Sequence, residues 1–124
     1  MKSKGILIVG HGSKSSDAVR EFEQMVAYTS RQTDEFIVKG AHMELAKPNI
    51  PETVESLVAA GVTDIRVLPY FLYTGNHIKQ DIPEILDEVK QKYPQVTFRF
   101  GKALGFEPRI ADILLLKAGE AEVI

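Results

Sequence analysis

The chain has 124 residues, a formal net charge of −2 and a hydrophobic content of 44%. These values predict one domain, residues 1–124, with its own core, and give no electrostatic footprint for nucleic acid or an anionic membrane. The sequence contains no cysteine, which excludes disulfides, thiolate metal sites and a cysteine nucleophile. The first apolar run, residues 6–9, is too short for a membrane span or a secretion signal, so we expect a cytoplasmic protein.

Predicted strands alternate with predicted helices along the whole chain. Apolar runs bounded by glycine or proline are typical of strands in a parallel sheet, whereas apolar stripes behind capping residues are typical of helices. Strands are predicted at Gly5–Gly10, Phe36–His42, Ile65–Phe71 and Val96–Phe100, with helices beginning near Ser16 or Asp17, Asn49, Asp81 and Pro108. The order βαβαβαβα predicts an α/β fold: a single-domain open parallel sheet with helices on both faces.

Two of the predicted helices share a start signal. In "NIPE", Asn49 is the predicted N-cap and Glu52 follows three residues later; in "DIPE", Asp81 and Glu84 repeat this arrangement. The last helix is predicted to turn three apolar side chains toward the core, namely Ile110, Ile113 and Leu114.

Reactive side chains follow the first three predicted strands. His11 lies between two glycines after the first strand, Glu44 follows the second, and His77 follows the third at the same spacing of about one βα unit. Ligands of open α/β sheets bind beyond the carboxyl ends of the strands, so we expect these side chains to meet there. Two imidazoles and a carboxylate suit an exchangeable ion of cobalt, nickel, iron or zinc.

Each of these residues also has an ordinary structural interpretation. His11 could be a turn residue, and His77 could hydrogen-bond within its own loop. Glu44 could form a surface ion pair with Lys47. His42 could face the site, but a histidine packed near the core is the favoured interpretation. Because three candidates converge on one end of the sheet, the functional interpretation of His11, Glu44 and His77 is favoured.

Other chemistries fit the sequence less well. The segment "GHGSKSS" lacks the Walker pattern, no GxGxxG motif follows a strand, and "GHGSK" is not the GxSxG elbow. An enzyme that phosphorylates His11 would need arginines around it, whereas the arginines lie on predicted helices and strands or at their starts. A hydrolase or a phosphohistidine enzyme is therefore disfavoured.

Three segments, "VGHGS", "MELAKPNI" and "LPYFLYTGNHIKQDIP", together resemble the short CbiX-type sirohydrochlorin chelatases. The resemblance runs through most of the chain and implies a class II chelatase-like fold. It implies ATP-independent insertion of Co²⁺, Ni²⁺ or Fe²⁺ into sirohydrochlorin in tetrapyrrole biosynthesis, of the cobalamin, siroheme or F430 type. The metal would then be a substrate, with no permanently bound cofactor.

The same resemblance assigns roles to individual residues. It implies that His11, Glu44 and His77 are catalytic and that the two histidines bind the metal. It implies substrate contacts at Lys47 and along one loop, formed by Leu72, Tyr73, Thr74, Gly75, Asn76 and His77. Tyr73 could equally be an ordinary packing residue.

The resemblance also implies a homodimer, because the long relatives carry two such domains in one chain and this chain has one. The last predicted helix gives a second reason, since Leu115 and Leu116 fall outside its apolar stripe and would leave apolar surface exposed in a monomer. The alternative function is a non-catalytic metal or tetrapyrrole carrier with the same fold. The presence of all three candidate ligands favours the enzyme, but the ligand set does not choose the metal.

Overall fold

A computed structural model describes residues 2–124, which form an α/β fold around one four-stranded parallel sheet. The strands are β1 (Lys4–Gly10), β2 (Phe36–His42), β3 (Asp64–Pro69) and β4 (Thr97–Phe100), in the order β2-β1-β3-β4. The helices are α1 (Ser16–Arg31), α2 (Ile50–Ala59), α3 (Ile82–Lys92) and α4 (Pro108–Glu120), and a π-helical turn, His77–Asp81, precedes α3. The predicted fold class and element order are confirmed. Among residues 2–124, no helix is both long enough and apolar enough to cross a membrane.

The central strand β1 is covered on both faces, as its continuous apolar run predicts. Leu7 and Val9 are fully buried in a core shared with α2 and α3. Gly10 has the opposite parity and lies beneath α1, where an added Cβ would stand 2.7 Å from the ring of Phe22. The core cluster comprises Leu7, Val9, Ala41, Ile50, Val54, Leu57, Val62, Ile65, Val67, Ile82, Leu86, Val89 and Val96.

The two predicted helix start signals have different outcomes. At α2 the capping box forms: the Asn49 side chain accepts from the Glu52 N–H at 2.9 Å, and the Glu52 carboxylate accepts from the Asn49 N–H at 2.9 Å. At α3, Asp81 makes no capping hydrogen bond, so its predicted N-cap role is wrong. The π-helical turn already supplies an acceptor for the backbone N–H at the start of α3, because the Ile82 N–H donates to the carbonyl of His77.

Helix α4 begins where the sequence predicts but does not pack on the core. Glu107 caps it, and the hydrogen bond from the Arg109 side chain holds the pKa of the Glu107 carboxyl below its ordinary value. None of the side chains of α4 is buried. The predicted inward orientation is therefore wrong for Ile113 and Leu114, which are exposed, whereas Ile110 is half-buried but lies outside the core cluster. The amphipathic pattern identifies an apolar stripe but not the surface that covers it.

Candidate functional site

The loop after β1 presents His11 at the carboxyl edge of the sheet. Its backbone passes so close to the loop after β2 that a Cβ on Gly12 would lie 1.7 Å from the carbonyl oxygen of Glu44. Gly12 also has φ +99°, a conformation that side chains rarely adopt. The glycine after His11 is thus what allows the two loops to touch.

Backbone hydrogen bonds extend the pairing of β1 and β2 beyond the sheet. The Met43 N–H donates to the Gly10 carbonyl at 2.9 Å, and the Glu44 N–H donates to the His11 carbonyl at 3.3 Å. Leu45 then adopts φ +66°, which turns the chain back toward α2. These bonds place the Glu44 side chain beside His11.

The chain after β3 carries His77 to the same edge. β3 ends at Pro69, two residues before its predicted end at Phe71, although the Tyr70 N–H still donates to the Val9 carbonyl at 2.8 Å. The ring of Phe71 instead packs edge-on beside both imidazoles, with centroid distances of 6.3 Å to His11 and 6.2 Å to His77. The aromatic ring gives the histidine pair an apolar support on one side.

The three predicted site residues meet. His11 Nε2 lies 3.2 Å from His77 Nε2 and 3.4 Å from Glu44 Oε1. All three side chains are about half exposed, at 50% for His11, 54% for Glu44 and 43% for His77, so solutes reach them. Two nitrogens that share one ion at about 2.1 Å each would lie about 3.0 to 3.4 Å apart, depending on coordination geometry. The observed nitrogen pair suits a shared metal ion.

The site is an open pair of nitrogens with a neighbouring carboxylate, not a closed cage. Within residues 2–124, no three His, Asp or Glu side chains are preassembled in a geometry that would hold a metal ion. The His11 and His77 rings stand roughly perpendicular, at 68° with centroids 4.7 Å apart, and their Nε2 atoms point at each other.

His77 uses its second ring nitrogen within its own helical turn. His77 Nδ1 lies 2.7 Å from Asp81 Oδ2, four residues later. The sequence interpretation treated a local hydrogen bond as an alternative to a site role for His77. In the structure the two are compatible, because the local bond occupies Nδ1 and leaves Nε2 facing His11.

The structure also resolves the alternative for Glu44. Lys47 does not pair with Glu44; its Nζ lies 3.7 Å from Glu52 Oε2, and its side chain is 82% exposed. Lys47 lines an open groove together with Glu44, and so it remains beside the site. The carboxylate of Glu44 faces His11 instead.

The predicted substrate loop, residues 72–76, is exposed. Tyr73 is 79% exposed and Leu72 is 52% exposed, so Tyr73 is not a packing residue in this chain. A Cβ on Gly75 would meet no atom within 4 Å. The base of the loop is fixed, since the Gly105 N–H donates to the Leu72 carbonyl at 2.7 Å.

His42 is a packed histidine, in agreement with the favoured interpretation. It is 2% exposed, and its ring stacks at a tilt on Phe22 with a centroid distance of 4.9 Å. It lines a cavity of about 150 Å³ between α1 and the loop after β1, and His11 is part of the same lining.

Comparisons with known proteins point to one family. The CbiX family model matches residues 5–121. The chain is 33% identical over 118 residues to sirohydrochlorin ferrochelatase from Priestia megaterium, covering 95% of this chain and 44% of the relative. It is 33% identical over 126 residues to sirohydrochlorin cobaltochelatase from Methanosarcina barkeri, covering 94% and 95%.

A solved structure shares the fold. The sirohydrochlorin chelatase SirB from Bacillus subtilis subspecies spizizenii, in complex with cobalt, superposes with a TM-score of 0.91 at 29% identity, over 97% of this chain and 51% of that one. The chain therefore spans about half the length of the Priestia and Bacillus proteins and nearly all of the Methanosarcina protein.

Proposed function

The chain belongs to the CbiX family, and we propose that it is a lyase that inserts a divalent metal ion into sirohydrochlorin without ATP. One observation carries the proposal: His11 Nε2 lies 3.2 Å from His77 Nε2 and 3.4 Å from Glu44 Oε1. The relatives are named as chelatases that act on sirohydrochlorin, one for iron and one for cobalt. Nickel is a further candidate, because the ligand set accepts it.

The two histidines bind the metal ion before it is inserted. Insertion needs a cation that has lost part of its hydration shell, and neutral imidazole nitrogens replace water in the coordination sphere. His11 and His77 each contribute one Nε2, and no thiolate is present to hold the ion permanently. The ion is thus bound loosely enough to pass to the four nitrogens of the macrocycle.

The Glu44 carboxylate accepts protons and balances the charge of the cation. Metal insertion releases two pyrrole protons, and a histidine lone pair that holds the metal cannot also accept a proton. The Glu44 carboxylate, beside His11 and 54% exposed, is available for a proton or for balancing the charge of the cation. We therefore assign metal binding to the histidines, and we assign to Glu44 the acceptance of the two protons in turn, each of which its exposed carboxylate passes to solvent.

The substrate contacts surround this centre. Leu72, Tyr73 and Gly75 offer an exposed, partly apolar wall for a flat macrocycle, and Thr74 and Asn76 add polar groups to the same loop. Lys47 lies on the other loop with its ammonium exposed and only a 3.7 Å pairing to Glu52, which leaves it free to meet a substrate carboxylate. These contacts orient the ring over the histidine pair.

We further propose that the chain acts as a cytoplasmic homodimer. The Priestia chelatase is more than twice as long as this chain, so a second copy would supply a comparable amount of structure. The apolar side chains of α4 are exposed in one copy. A second copy can cover them and can also enclose a macrocycle that one open edge leaves uncovered.

The test is anaerobic incubation with sirohydrochlorin and Co²⁺, Ni²⁺ or Fe²⁺ in turn, followed by absorption spectroscopy. The expected result is conversion of many equivalents of sirohydrochlorin per chain, and the relative rates identify the preferred metal. A spectral change that stops at one equivalent per chain would instead make the protein a carrier. No change with any of the three ions would overturn the proposal.

A further inference from the structure

We propose that Asp81 is a positioning residue: it fixes the tautomer and orientation of His77, so that His77 presents a bare Nε2 lone pair to the incoming metal. The effect of this hydrogen bond on metal delivery rests on the proposed function. The hydrogen bond itself does not, because it is a feature of the metal-free protein. The sequence pattern offers a local hydrogen bond for His77 only as an alternative to a site role, and it predicts Asp81 as a helix cap.

The first step is the identity of the proton donor. His77 Nδ1 and Asp81 Oδ2 are 2.7 Å apart, a short separation that is typical of a charge-assisted hydrogen bond. An ionised carboxylate has no hydrogen to donate, so His77 Nδ1 carries the proton. In a neutral imidazole the other nitrogen then carries the lone pair, and in His77 that nitrogen is Nε2.

The second step concerns His11. Because His77 Nε2 is an acceptor, the 3.2 Å contact between the two Nε2 atoms assigns the hydrogen to His11. The site is thus a directed arrangement, in which the His11 Nε2–H faces the His77 lone pair at 3.2 Å and Glu44 Oε1 at 3.4 Å, and His77 donates to Asp81. For an ion to bind both Nε2 atoms, His11 must move its hydrogen from Nε2 to Nδ1, whereas His77 is already in its binding form. Asp81 therefore makes His77 the preformed ligand and His11 the ligand that rearranges.

The third step is the rigidity of Asp81. Its carboxylate is not used as a cap, because the Ile82 N–H already donates to the His77 carbonyl. The turn is anchored by Ile78, which is 7% exposed, and by Ile82, which is fully buried. The π-helical turn brings the residues at i and i+4 together on its exposed side, where the Asp81 side chain is 44% exposed. The backbone thus holds the carboxylate against one ring nitrogen and away from the metal.

The experiment begins with the metal-free protein. Long-range ¹H–¹⁵N correlation spectra of histidine-labelled protein distinguish the two neutral tautomers, at a pH where imidazole is neutral. Wild-type His77 is expected as the Nδ1–H tautomer. Asp81→Leu is expected to move His77 toward the Nε2–H tautomer, whereas Asp81→Asn keeps an oxygen acceptor and is expected to preserve the wild-type tautomer.

A second readout is metal affinity, measured by Co²⁺ titration without the tetrapyrrole. Loss of a partner that orients a metal ligand typically weakens binding about 10- to 100-fold, which is the expectation for Asp81→Leu. Asp81→Asn should recover most of this loss. The matched control is Asp87→Leu on α3, whose carboxylate pairs with Lys90 at 3.3 Å on the surface, and this variant should change neither readout.

Two results would overturn the inference: a wild-type His77 in the Nε2–H form, or an Asp81→Leu variant with unchanged tautomer and unchanged Co²⁺ affinity. The wild-type spectrum decides the first point even if Asp81→Leu fails to fold, and Asp81→Asn keeps the affinity comparison available. Failure of the proposed function is a separate result. In that case the wild-type protein would show the expected tautomer and bind Co²⁺ but would not convert sirohydrochlorin.

Discussion

Gly12 determines how closely the two loops that carry His11 and Glu44 approach each other. Replacement by alanine would place a Cβ on a residue with φ +99° and 1.7 Å from the Glu44 carbonyl oxygen. The second loop must then move. We expect Gly12→Ala to lower the free energy of unfolding by about 1–3 kcal/mol, as backbone strain does, and to reduce insertion up to about 100-fold through misplacement of Glu44.

Urea denaturation and the spectroscopic insertion assay measure the two effects. The matched control is Gly119→Ala on α4, where an added Cβ meets no atom within 4 Å. Alanine is the better helix former, so this control should leave the stability unchanged or slightly higher. Wild-type stability and wild-type rate in Gly12→Ala would show that the contact between the loops is not needed.

The two site histidines are predicted to be needed for activity but not for folding. Both side chains are about half exposed and neither belongs to the core. We expect His11→Ala and His77→Ala each to abolish insertion while changing the free energy of unfolding by less than about 0.5 kcal/mol. The control is Lys90→Ala on α3, where the exposed Lys90 side chain pairs only with Asp87 on the surface, and this variant should still insert metal. Full activity in either alanine variant would remove that residue from the proposed mechanism.

For single residues, the sequence predicted where the candidate site residues lie better than it predicted which side chains they contact. His11, Glu44 and His77 could be located because each follows a strand, and strand order places the ends together. The choice between Lys47 and His11 as the partner of Glu44 depends on the backbone of the intervening loop, including the positive φ of Leu45. A hydropathy pattern carries no information on such loop dihedrals.

At the scale of single elements, the start of α2 is predicted to be the best-capped helix end near the site. The reciprocal 2.9 Å hydrogen bonds between Asn49 and Glu52 satisfy two backbone N–H groups. We expect Asn49→Ala to lower the free energy of unfolding by about 1 kcal/mol. Asn76→Ala is the control, since Asn76 precedes the π-helical turn without any side-chain capping bond. Equal effects of the two variants in urea denaturation would contradict a capping role for Asn49.

Elements were predicted well where local chemistry and long-range packing agree. The capping box of α2 and the apolar run of β1 each specify their element from nearby residues alone. The start of α3 agrees with the prediction, but the capping role of Asp81 was mispredicted, because the "DIPE" signal does not reveal that a helical turn already precedes the helix at 77–81. The end of β3 at Pro69 is where its pairing with β1 stops, and that pairing is information from another part of the chain.

At the scale of the whole molecule, strict alternation of strands and helices determined the fold class. Parallel strands with right-handed crossovers bring all carboxyl ends to one edge, so the site location followed from topology. The surface that covers α4 could not be predicted, since periodicity identifies apolar positions but not their partner. In one copy that helix has no buried side chain.

The exposed row on α4 leads to the prediction of a homodimer. Four consecutive residues are largely exposed: Ile113 at 53%, Leu114 at 65%, Leu115 at 72% and Leu116 at 64%. At 100° per residue they span most of the helix circumference, so packing one face of α4 on the rest of the chain would leave some of them exposed to solvent. Contiguous apolar surface of this kind usually marks an interface, and two-fold pairing of identical copies is the commonest solution.

Sedimentation equilibrium at micromolar concentration is expected to give about twice the chain mass of 13.8 kDa. The double variant Leu114→Glu/Leu115→Glu should sediment as a monomer, because burial of two carboxylates in an apolar interface is strongly unfavourable. It should also lose insertion activity, since one open edge does not enclose the macrocycle. Val123→Glu, an equally apolar and fully exposed position beyond α4, is the control and should remain dimeric. A wild-type monomer that inserts metal at full rate would contradict both the dimer and the shared enclosure of the substrate.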